Sequence, residues 1–269
     1  MSFSVLMSIY KGENPNYLKQ AFDSLIAQTL QPSEVLLIED GPLTKELYDV
    51  INIYQKRYPI LKTYVFHENV MLGRALAKGV LLCSNEIIAR MDTDDIALPE
   101  RFEKQYKYLK SHPRVSVVGS AIEEFNDKKT LCSQKYMPKT TKQIRRYIKY
   151  RNPINHMTVM FRKADVLRAG NYRHYPLLED YDLWNRMINK GYMLHNLSDI
   201  LVKARTNENR YAKRGGFEYF KTFTKLRLLQ YQLGILNKLE LINSLIGTMI
   251  MTLTPNWSRK IAYHFFLRK

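Results

Sequence analysis

The chain has only two cysteines, Cys83 and Cys132, among 269 residues, and lacks any apolar run long enough to cross a bilayer. Two cysteines that far apart match no zinc-ligand spacing and cannot form a disulfide framework, so we expect a reducing compartment. No basic segment precedes the apolar run at the N-terminus, which favours a β-strand over a signal peptide. The apolar segment 241–253 is shorter than the roughly twenty residues that a spanning helix needs. These absences predict a cytoplasmic protein that is not exported.

Acidic residues are scarce in most of the chain, and this scarcity is uneven. The net charge of +17 divides into −4 for residues 1–100, +11 for residues 101–200 and +10 for residues 201–269. A hydrophobic content of 45% excludes a disordered chain and is sufficient for one large α/β domain, with or without a small appendage. The basic half suits nucleic acid, an anionic membrane or phosphorylated substrates. Charge alone does not choose among these partners.

Strands and helices alternate over the first 112 residues. The pattern predicts strands at 4–10, 34–40, 61–67 and 86–91. It predicts helices that begin at Pro15 after the capping residue Asn14, and at 73–83 and 99–110. Such alternation is typical of right-handed βαβ units and a mostly parallel sheet.

Three carboxylates follow the fourth predicted strand, at Asp92, Asp94 and Asp95. Clustered carboxylates repel one another, and a divalent cation with a phosphate behind it would compensate their charge. The alternatives are a solvated acidic turn or a helix cap. Pro99 fits the first turn of the next helix, so a capping residue would lie near Leu98, and the carboxylates are expected in a loop.

Other polar or aromatic residues follow the neighbouring strands. Tyr10 ends the first strand, and Glu39 and Asp40 end the second. In open α/β sheets, ligands bind outside the carboxyl ends of the strands. We therefore expect these residues to meet the acidic cluster in one crevice.

The second half changes character. Its pattern predicts a strand at 115–125, a turn at 126–129, a basic helix at 140–150 and a strand at 152–161 that contains His156. Glu179 and Asp180 open a further helix that ends at Gly191. Carboxylates at a helix N-terminus can simply favour the helix dipole, or one of them can act as a general base.

Several of these segments occur together in the order seen in a known family. The chain resembles glycosyltransferase family 2 in five segments: Ser4–Tyr10, Glu39-Asp40-Gly41, Asp92–Asp95, His156–Val159 and Glu179–Trp184. The resemblance extends over about residues 3–206. It is strongest to bacterial enzymes that build capsule, exopolysaccharide and O-antigen.

The resemblance implies an α/β fold of the GT-A type. This fold has a Rossmann-like, mostly parallel sheet with helices on both faces, and here a helical C-terminal extension. The expected divisions are a nucleotide-sugar-binding half at 1–112, an acceptor-binding and catalytic-base half at 113–214, and a basic amphipathic tail at 215–269.

The resemblance also implies roles for the donor-side residues. Asp92, Asp94 and Asp95 are expected to hold Mn or Mg, and Asp92 also to contact the donor sugar or ribose. The remaining donor-binding residues are expected to contact the base, ribose or diphosphate of a UDP-sugar: Ser8, Tyr10, Asp40, Arg74 and Arg205. Packing at a strand end is the alternative for Tyr10, and a solvated helical arginine is the alternative for Arg74.

On the acceptor side, Asp180 matches the family's catalytic base and Glu179 would orient it or the acceptor. Direct displacement at the anomeric carbon predicts inversion, so an α-linked UDP-sugar should give a β-glycoside. His156 and Trp184 are expected to contact the acceptor, although a lone histidine in an apolar segment can equally be a core residue. For the residues that follow Arg205, contact with the diphosphate and a solvated basic loop both stay possible: Arg210, Tyr211, Lys213 and Arg214.

The C-terminal segment mixes basic, aromatic and apolar residues, as interfacial helices on anionic lipid do. Its alternative is a helical cap on the core or a dimer contact. Together with the resemblance, this composition predicts a peripheral protein on the inner face of the cell membrane, with an undecaprenyl-diphosphate-linked sugar as acceptor. UDP-galactose or UDP-glucose is the favoured donor.

Two other functions fit the sequence less well. A sugar-nucleotide pyrophosphorylase would carry a glycine-rich phosphate loop after its first strand, and Tyr10-Lys11-Gly12-Glu13 is not such a loop. A basic nucleic-acid-binding protein would explain the charge but not the acidic groups at the sheet edge.

Overall fold

The structure, a computed structural model, describes residues 2–126, 130–206 and 215–253. Its strands are β1 (Ser4–Ile9), β2 (Glu34–Glu39), β3 (Leu61–Val65), β4 (Ile87–Arg90), β5 (Ile96–Ala97), β6 (Val115–Phe125), β7 (Leu131–Lys135), β8 (Met160–Arg162) and β9 (Met193–Arg205). Its α-helices are α1 (Pro15–Ile26), α2 (Lys45–Arg57), α3 (Leu72–Leu82), α4 (Arg101–Ser111), α5 (Thr141–Tyr147), α6 (Lys163–Arg168), α7 (Glu179–Asn189), α8 (Phe217–Gln232) and α9 (Lys238–Leu253).

The strands form one sheet in the order β3-β2-β1-β4-β8-β6-β9-β5, with β7 paired to β6. The first four strands in this order run parallel, as the βαβ pattern of the first half predicts. The later strands add both parallel and antiparallel pairs, because β8 is antiparallel to both β4 and β6 while β9 is parallel to β6.

Helices cover both faces of the sheet. Val5 and Met7 point to one face and pack with Phe22 and other apolar residues of α1, α2 and α4. Leu6 points to the opposite face, lies against Gly79 of α3 and belongs to the same core cluster as Trp184 of α7. Successive strand residues point to opposite faces, and the apolar run of β1 therefore supplies both cores.

The segment after the acidic cluster differs from prediction. The helix expected from Pro99 begins at Arg101, and Ile96–Ala97 forms the short strand β5 against β9. The Leu98 N–H donates to the carbonyl of Leu201, so β9 holds this segment extended and delays the helix. The acidic cluster still lies in a loop, well before the helix begins.

The continuous strand predicted at 152–161 is wrong. His156–Thr158 form a 3₁₀ turn, and only Met160–Arg162 form a strand. The Thr158 hydroxyl donates to the carbonyl of Asn155, and the Asn155 side-chain amide donates to the carbonyl of Ser120. These local bonds satisfy polar groups that a β-ladder would otherwise use, and they explain the turn.

The C-terminal residues in the described range form a helical hairpin of α8 and α9. Leu226, Arg227 and Gln230 are the buried residues of α8 that attach the hairpin to the domain. Within the described ranges, no helix has both the length and the apolar character required to span a membrane. Two predicted features lie outside the described residues. One is part of the turn at 126–129, and the other is the set of residues after Arg205 that received no assigned role: Arg210, Tyr211, Lys213 and Arg214.

Candidate active site

The acidic loop follows β4 at the carboxyl edge of the parallel strands. Carboxylate oxygens of Asp92, Asp94 and Asp95 lie within 4.8 Å of one another. Asp95 is buried, whereas Asp92 and Asp94 are partly exposed. The loop therefore presents two carboxylates to the crevice and holds the third behind them.

Arg90, the last residue of β4, pairs with the first carboxylate of the loop. Its Nη1 donates to Asp92 Oδ2 over 2.7 Å, and its Nη2 contacts Asp92 Oδ1. The guanidinium is almost fully buried, and the Arg90 carbonyl accepts a 2.6 Å bond from Nη2 of buried Arg101. Bidentate pairing fixes the orientation of the Asp92 carboxylate and balances its charge.

Asp95 is anchored from the other side. Its Oδ1 accepts a 2.7 Å bond from the backbone N–H of Arg205, while its Oδ2 is buried without a hydrogen-bond partner within the described chain. Burial, together with the charges of Asp94 and Asp92, raises the pKa of Asp95 well above its usual range. The carboxyl thus lies in an environment that resists additional negative charge.

Asp94 is partly exposed at the crevice, as Asp92 is. Burial and the charge of Asp92 raise its pKa to about 6. Oxygen donors of this kind suit the hard cations Mg²⁺ and Mn²⁺, and a divalent cation would relieve the mutual repulsion of the three carboxylates. The donor set therefore fits the predicted metal, with Asp94 and Asp92 as the accessible ligands and Asp95 behind them.

Arg205, at the end of β9, fastens this loop to α1. Its Nε donates to the carbonyl of Asp94 over 3.1 Å, and its Nη2 donates to Gln20 Oε1 over 2.8 Å. The guanidinium carbon lies 3.8 Å from the ring centroid of Tyr17 and 4.5 Å from that of Phe125. Arg205 lies beside the acidic loop, and its contact with a diphosphate stays a prediction.

Tyr10 and Asp40 occupy the strand ends next to the acidic loop. Tyr10 is 39% exposed, and its ring rests on Gly12, where any side chain would collide with it. Asp40 Oδ1 accepts a 2.6 Å bond from the backbone N–H of Val70. Gly41 has a φ of +88° and lies against the backbone of Asn69, so the loop after β2 is held close to the loop before α3.

Ser8 and Arg74 are the other two residues predicted to bind the nucleotide. Ser8 is half-buried one residue before the end of β1 and pairs with Ile38. Arg74 is exposed in the first turn of α3. Both lie at the same sheet edge as Tyr10, and their contacts with a nucleotide stay predictions.

Glu179 and Asp180 lie in the first turn of α7. Asp180 Oδ2 accepts a 2.5 Å bond from Asn152 Nδ2, and Oδ1 accepts a 2.8 Å bond from the backbone N–H of Tyr181. Burial and the charge of Asp180 raise the pKa of Glu179 to about 7. The two carboxyls thus share one helix start but differ in environment.

Arg90 also connects the acidic loop to the α7 carboxyls. Although burial disfavours its charge, Asp92, Tyr172 and Asp180 together raise the pKa of Arg90. The charge of Asp92 in turn contributes to the raised pKa of Glu179. Gly73, the residue before Arg74, lies against Glu179, so the predicted donor side and base side adjoin each other.

His156 lies beside this site, whereas Trp184 lies in the core. Nε2 of His156 is 3.0 Å from the Tyr172 hydroxyl, and burial with the charge of Arg90 lowers the His156 pKa well below its usual value. Trp184 is fully buried and meets the His156 ring edge-on at 6.4 Å. Its contact with an acceptor, like that of His156, stays a prediction.

Comparison with known proteins identifies the family of the chain. Residues 4–168 match the family described as Glycosyl transferase family 2. The chain belongs to glycosyltransferase family 2. It is thus a glycosyltransferase, and family membership removes the pyrophosphorylase alternative.

Relatives of this family-2 chain include bacterial polysaccharide enzymes. It is 41% identical over 233 residues to the amylovoran biosynthesis glycosyltransferase AmsE of Erwinia amylovora, and the alignment covers 86% of each chain. It is 32% identical over 271 residues to an Escherichia coli protein, covering 99% of this chain and 97% of the relative. That relative is named UDP-Gal:alpha-D-GlcNAc-diphosphoundecaprenol beta-1,3-galactosyltransferase.

Solved structures identify the fold of this family-2 chain as GT-A. Staphylococcus aureus TarS 1–349 in complex with UDP-GlcNAc aligns with a TM-score of 0.71 at 15% identity, over 99% of this chain and 76% of that one. The mannosyltransferase PcManGT of Pyrobaculum calidifontis, in complex with GDP-Man and Mn2+, aligns with a TM-score of 0.65 at 14% identity. That alignment covers 97% of this chain and 73% of the neighbour.

Sequence reasoning missed three residues of this glycosyltransferase site: Arg90, Asn152 and Tyr172. Arg90 carried a usable signal, since it is a cation at the end of an otherwise apolar strand, directly before an acidic cluster. Asn152 and Tyr172 carried none, because their partners Asp180 and His156 are 28 and 16 residues away in sequence.

Proposed function

We propose that this glycosyltransferase inverts the anomeric centre as it moves a hexose from a UDP-sugar to a lipid-diphosphate-linked sugar, in bacterial surface polysaccharide synthesis. The observation that carries the proposal is the position of the buried Arg90 guanidinium. It pairs with Asp92 of the acidic loop, and the charge of Asp180 at the start of α7 also favours its charged form. The acidic loop suits a divalent cation bound to a nucleotide diphosphate. Asp180 suits a hydroxyl group that must lose a proton.

On the donor side, Tyr10 offers an exposed ring on which the uracil stacks, and Asp40 offers a carboxylate oxygen to the base. Ser8 contacts the ribose, and Arg74 lies near the phosphates. Asp94 and Asp92 hold a divalent cation, which when bound supplies positive charge to the leaving diphosphate. Arg90 keeps Asp92 in a fixed orientation for this purpose, through its two contacts with the carboxylate.

On the acceptor side, Asp180 accepts the proton of the attacking hydroxyl. Asn152 and the Tyr181 N–H direct one bond to each of its oxygens and fix its rotamer. Glu179, whose pKa is about 7, carries a proton for much of the time at neutral pH, which suits it to donate a hydrogen bond to the acceptor or to orient Asp180. In this scheme the acceptor hydroxyl attacks the anomeric carbon, its proton passes to Asp180 and UDP leaves, so the displacement is direct and inverts the configuration.

The acceptor assignment is supported by the relative whose name specifies a diphosphoundecaprenol-linked sugar. Its 32% identity extends over nearly the whole of both chains. The excess of cations in residues 101–269 favours a diphosphate acceptor at an anionic surface, and hence a peripheral position on the inner face of the membrane. UDP-galactose is the first donor to test, and UDP-glucose the second.

A transfer assay with a donor panel tests the proposal. Purified protein, Mn²⁺ and a synthetic lipid-diphosphate-linked N-acetylglucosamine are incubated with each of four donors: UDP-galactose, UDP-glucose, UDP-N-acetylglucosamine and UDP-N-acetylgalactosamine. Mass spectrometry should find one added hexose with UDP-galactose or UDP-glucose, and none when EDTA replaces Mn²⁺. Absence of transfer from every donor would refute the proposal.

A further inference from the structure

Helix α9 turns polar side chains toward the protein and apolar side chains toward the outside, the reverse of the usual amphipathic helix. Its inward side carries the small polar residues Thr248 and Thr252, which are buried. Its outward side carries large apolar residues, with Ile242, Ile246 and Ile250 at 46%, 49% and 54% exposure. A surface helix in water normally places its apolar stripe toward the core, so this arrangement needs an apolar partner outside the domain.

The inward hydroxyls do not need polar partners from the rest of the protein. Ser244 donates to the carbonyl of Leu241, Thr248 to that of Ser244, and Thr252 to that of Thr248, at 2.7–2.8 Å. Each hydroxyl is satisfied within its own helix, and its small size lets α9 approach α8 closely. Residues 241–253 also contain no charged side chain. The helix can therefore bury its hydroxyl groups and turn its apolar side chains outward without leaving a polar group of these residues unsatisfied.

The hairpin of α8 and α9 packs against the base side of the active site. Arg227 Nη1 donates to the Lys149 carbonyl over 2.7 Å, and Gln230 donates to the Ile148 carbonyl over 2.8 Å. Lys149 Nζ lies 2.7 Å from Glu240 Oε1 at the start of α9. Three residues beyond Lys149, Asn152 bonds the proposed base. The hairpin is therefore attached close to the segment that holds Asp180.

Charge indicates what covers the outward face. Lys221 and Lys225 are exposed on α8, one helical turn apart. The sequence after α9, residues 254–269, contains four Lys and Arg and no Asp or Glu, together with Trp257, Phe265 and Phe266. Aromatic residues mixed with cations favour the headgroup region of anionic lipid, where cations meet phosphates and apolar groups meet acyl chains.

We propose that the outward face of α9 lies in the boundary between headgroups and acyl chains of an anionic membrane. Its members are Leu239, Ile242, Ile246, Met249 and Ile250. The proposal deepens the proposed function, and rests on it only in one respect: the face would bring Asp180 toward an acceptor held in that membrane.

Vesicle co-sedimentation of the full chain tests the proposal. Vesicles of phosphatidylethanolamine with phosphatidylglycerol are compared with vesicles of phosphatidylcholine alone. The variant combines Ile242→Gln, Ile246→Gln and Ile250→Gln. The control combines Ile53→Gln, Leu81→Gln and Leu131→Gln, three apolar residues of similar exposure on α2, α3 and β7. We expect the α9 variant to lose at least about tenfold in affinity for the anionic vesicles, and the control to bind as the wild type does.

Three results would overturn the proposal. The first is an α9 variant with unchanged secondary structure by circular dichroism that binds anionic vesicles like the wild type. The second is a lipid-free wild type that sediments as a dimer while the α9 variant sediments as a monomer, because a second copy would then cover the face. The third is a shift of Trp257 fluorescence in the lipid-free variant, which would mean that residues 254–269 cover it.

Vesicle binding does not require turnover, so an inactive enzyme would leave this test intact. Transfer to a water-soluble diphosphate-sugar without the lipid should be unchanged in the α9 variant. Equal loss of transfer to soluble and vesicle-borne acceptors would contradict a role for the face at the membrane.

Discussion

Arg90 contacts both carboxylate oxygens of Asp92, with Nη1 2.7 Å from Oδ2, while its guanidinium remains almost entirely buried. The same cation is close enough to Asp180 for that carboxylate to favour its charged form. A single side chain therefore orients the first carboxylate of the acidic loop and lies in the field of the proposed base. Changes at Arg90 should affect both sides of the site.

Arg90→Lys retains the charge but loses the bidentate geometry. We expect kcat to fall by roughly 10- to 100-fold and metal-dependent UDP affinity to fall by about tenfold, because Asp92 is no longer held in one orientation. Arg90→Met should also lower the free energy of unfolding, by about 1–3 kcal/mol, since Asp92 loses its partner. Urea unfolding, and calorimetric titration of UDP with and without Mn²⁺, measure these effects. Wild-type kcat in Arg90→Lys would exclude the coupling role.

Asp180→Asn removes the proposed proton acceptor and retains the hydrogen-bonding shape. We expect kcat to fall by at least about 10³-fold, with UDP and Mn²⁺ affinity within about twofold of the wild type. Asp94→Asn should produce the opposite pattern, with metal-dependent donor binding lost first. Equal effects of the two substitutions on UDP binding would contradict the separation of roles.

Arg205→Lys distinguishes two roles for this residue. If Arg205 fixes the acidic loop through Asp94 and Gln20, metal-dependent UDP binding should weaken by about tenfold, while UDP binding in EDTA stays unchanged. If it contacts the diphosphate directly, both affinities should fall. Tyr17→Leu is the matched control, because it removes the stacking partner at 3.8 Å and leaves the guanidinium in place.

Glu179 should make stability depend on pH. Burial raises its pKa from 4.5 to about 7, so between these values the folded state binds the proton more tightly than the unfolded state does. The free energy of unfolding should therefore fall as pH rises from about 4.5 to about 7. Glu179→Gln should flatten this slope and raise stability above pH 7 by about 1–3 kcal/mol. Metal-free urea unfolding across this range, with exposed Glu68→Gln as control, measures the effect. A slope in Glu179→Gln as steep as in the wild type would reject the assignment.

The fold was largely accessible from sequence because its first half repeats a simple pattern. The strand at 115–125 and the start of α1 at Pro15 agree with prediction, since apolar periodicity and an Asn-Pro cap are local signals. The strand expected through His156 failed because side-chain bonds of Asn155 and Thr158 decide that segment. Periodicity does not report such bonds.

The site was accessible only in part, for a related physical reason. Carboxylates clustered in sequence were recognisable at Asp92 and Asp180 without the structure. The groups that hold them are distant in sequence: the Arg205 N–H bonds Asp95 across 110 residues, and Asn152 bonds Asp180 across 28. Contacts of this kind depend on how β9 and α7 pack, and a single sequence does not reveal that packing.

The anomeric configuration of the product tests the central claim most directly. Wild-type protein is incubated with an α-linked UDP-hexose, Mn²⁺ and the lipid-diphosphate-linked acceptor, and the new glycosidic bond is assigned by NMR. The account predicts a β-linkage from the wild type and no product from Asp180→Asn. An α-linkage, or turnover in Asp180→Asn equal to that of the wild type, would contradict direct displacement with Asp180 as the base.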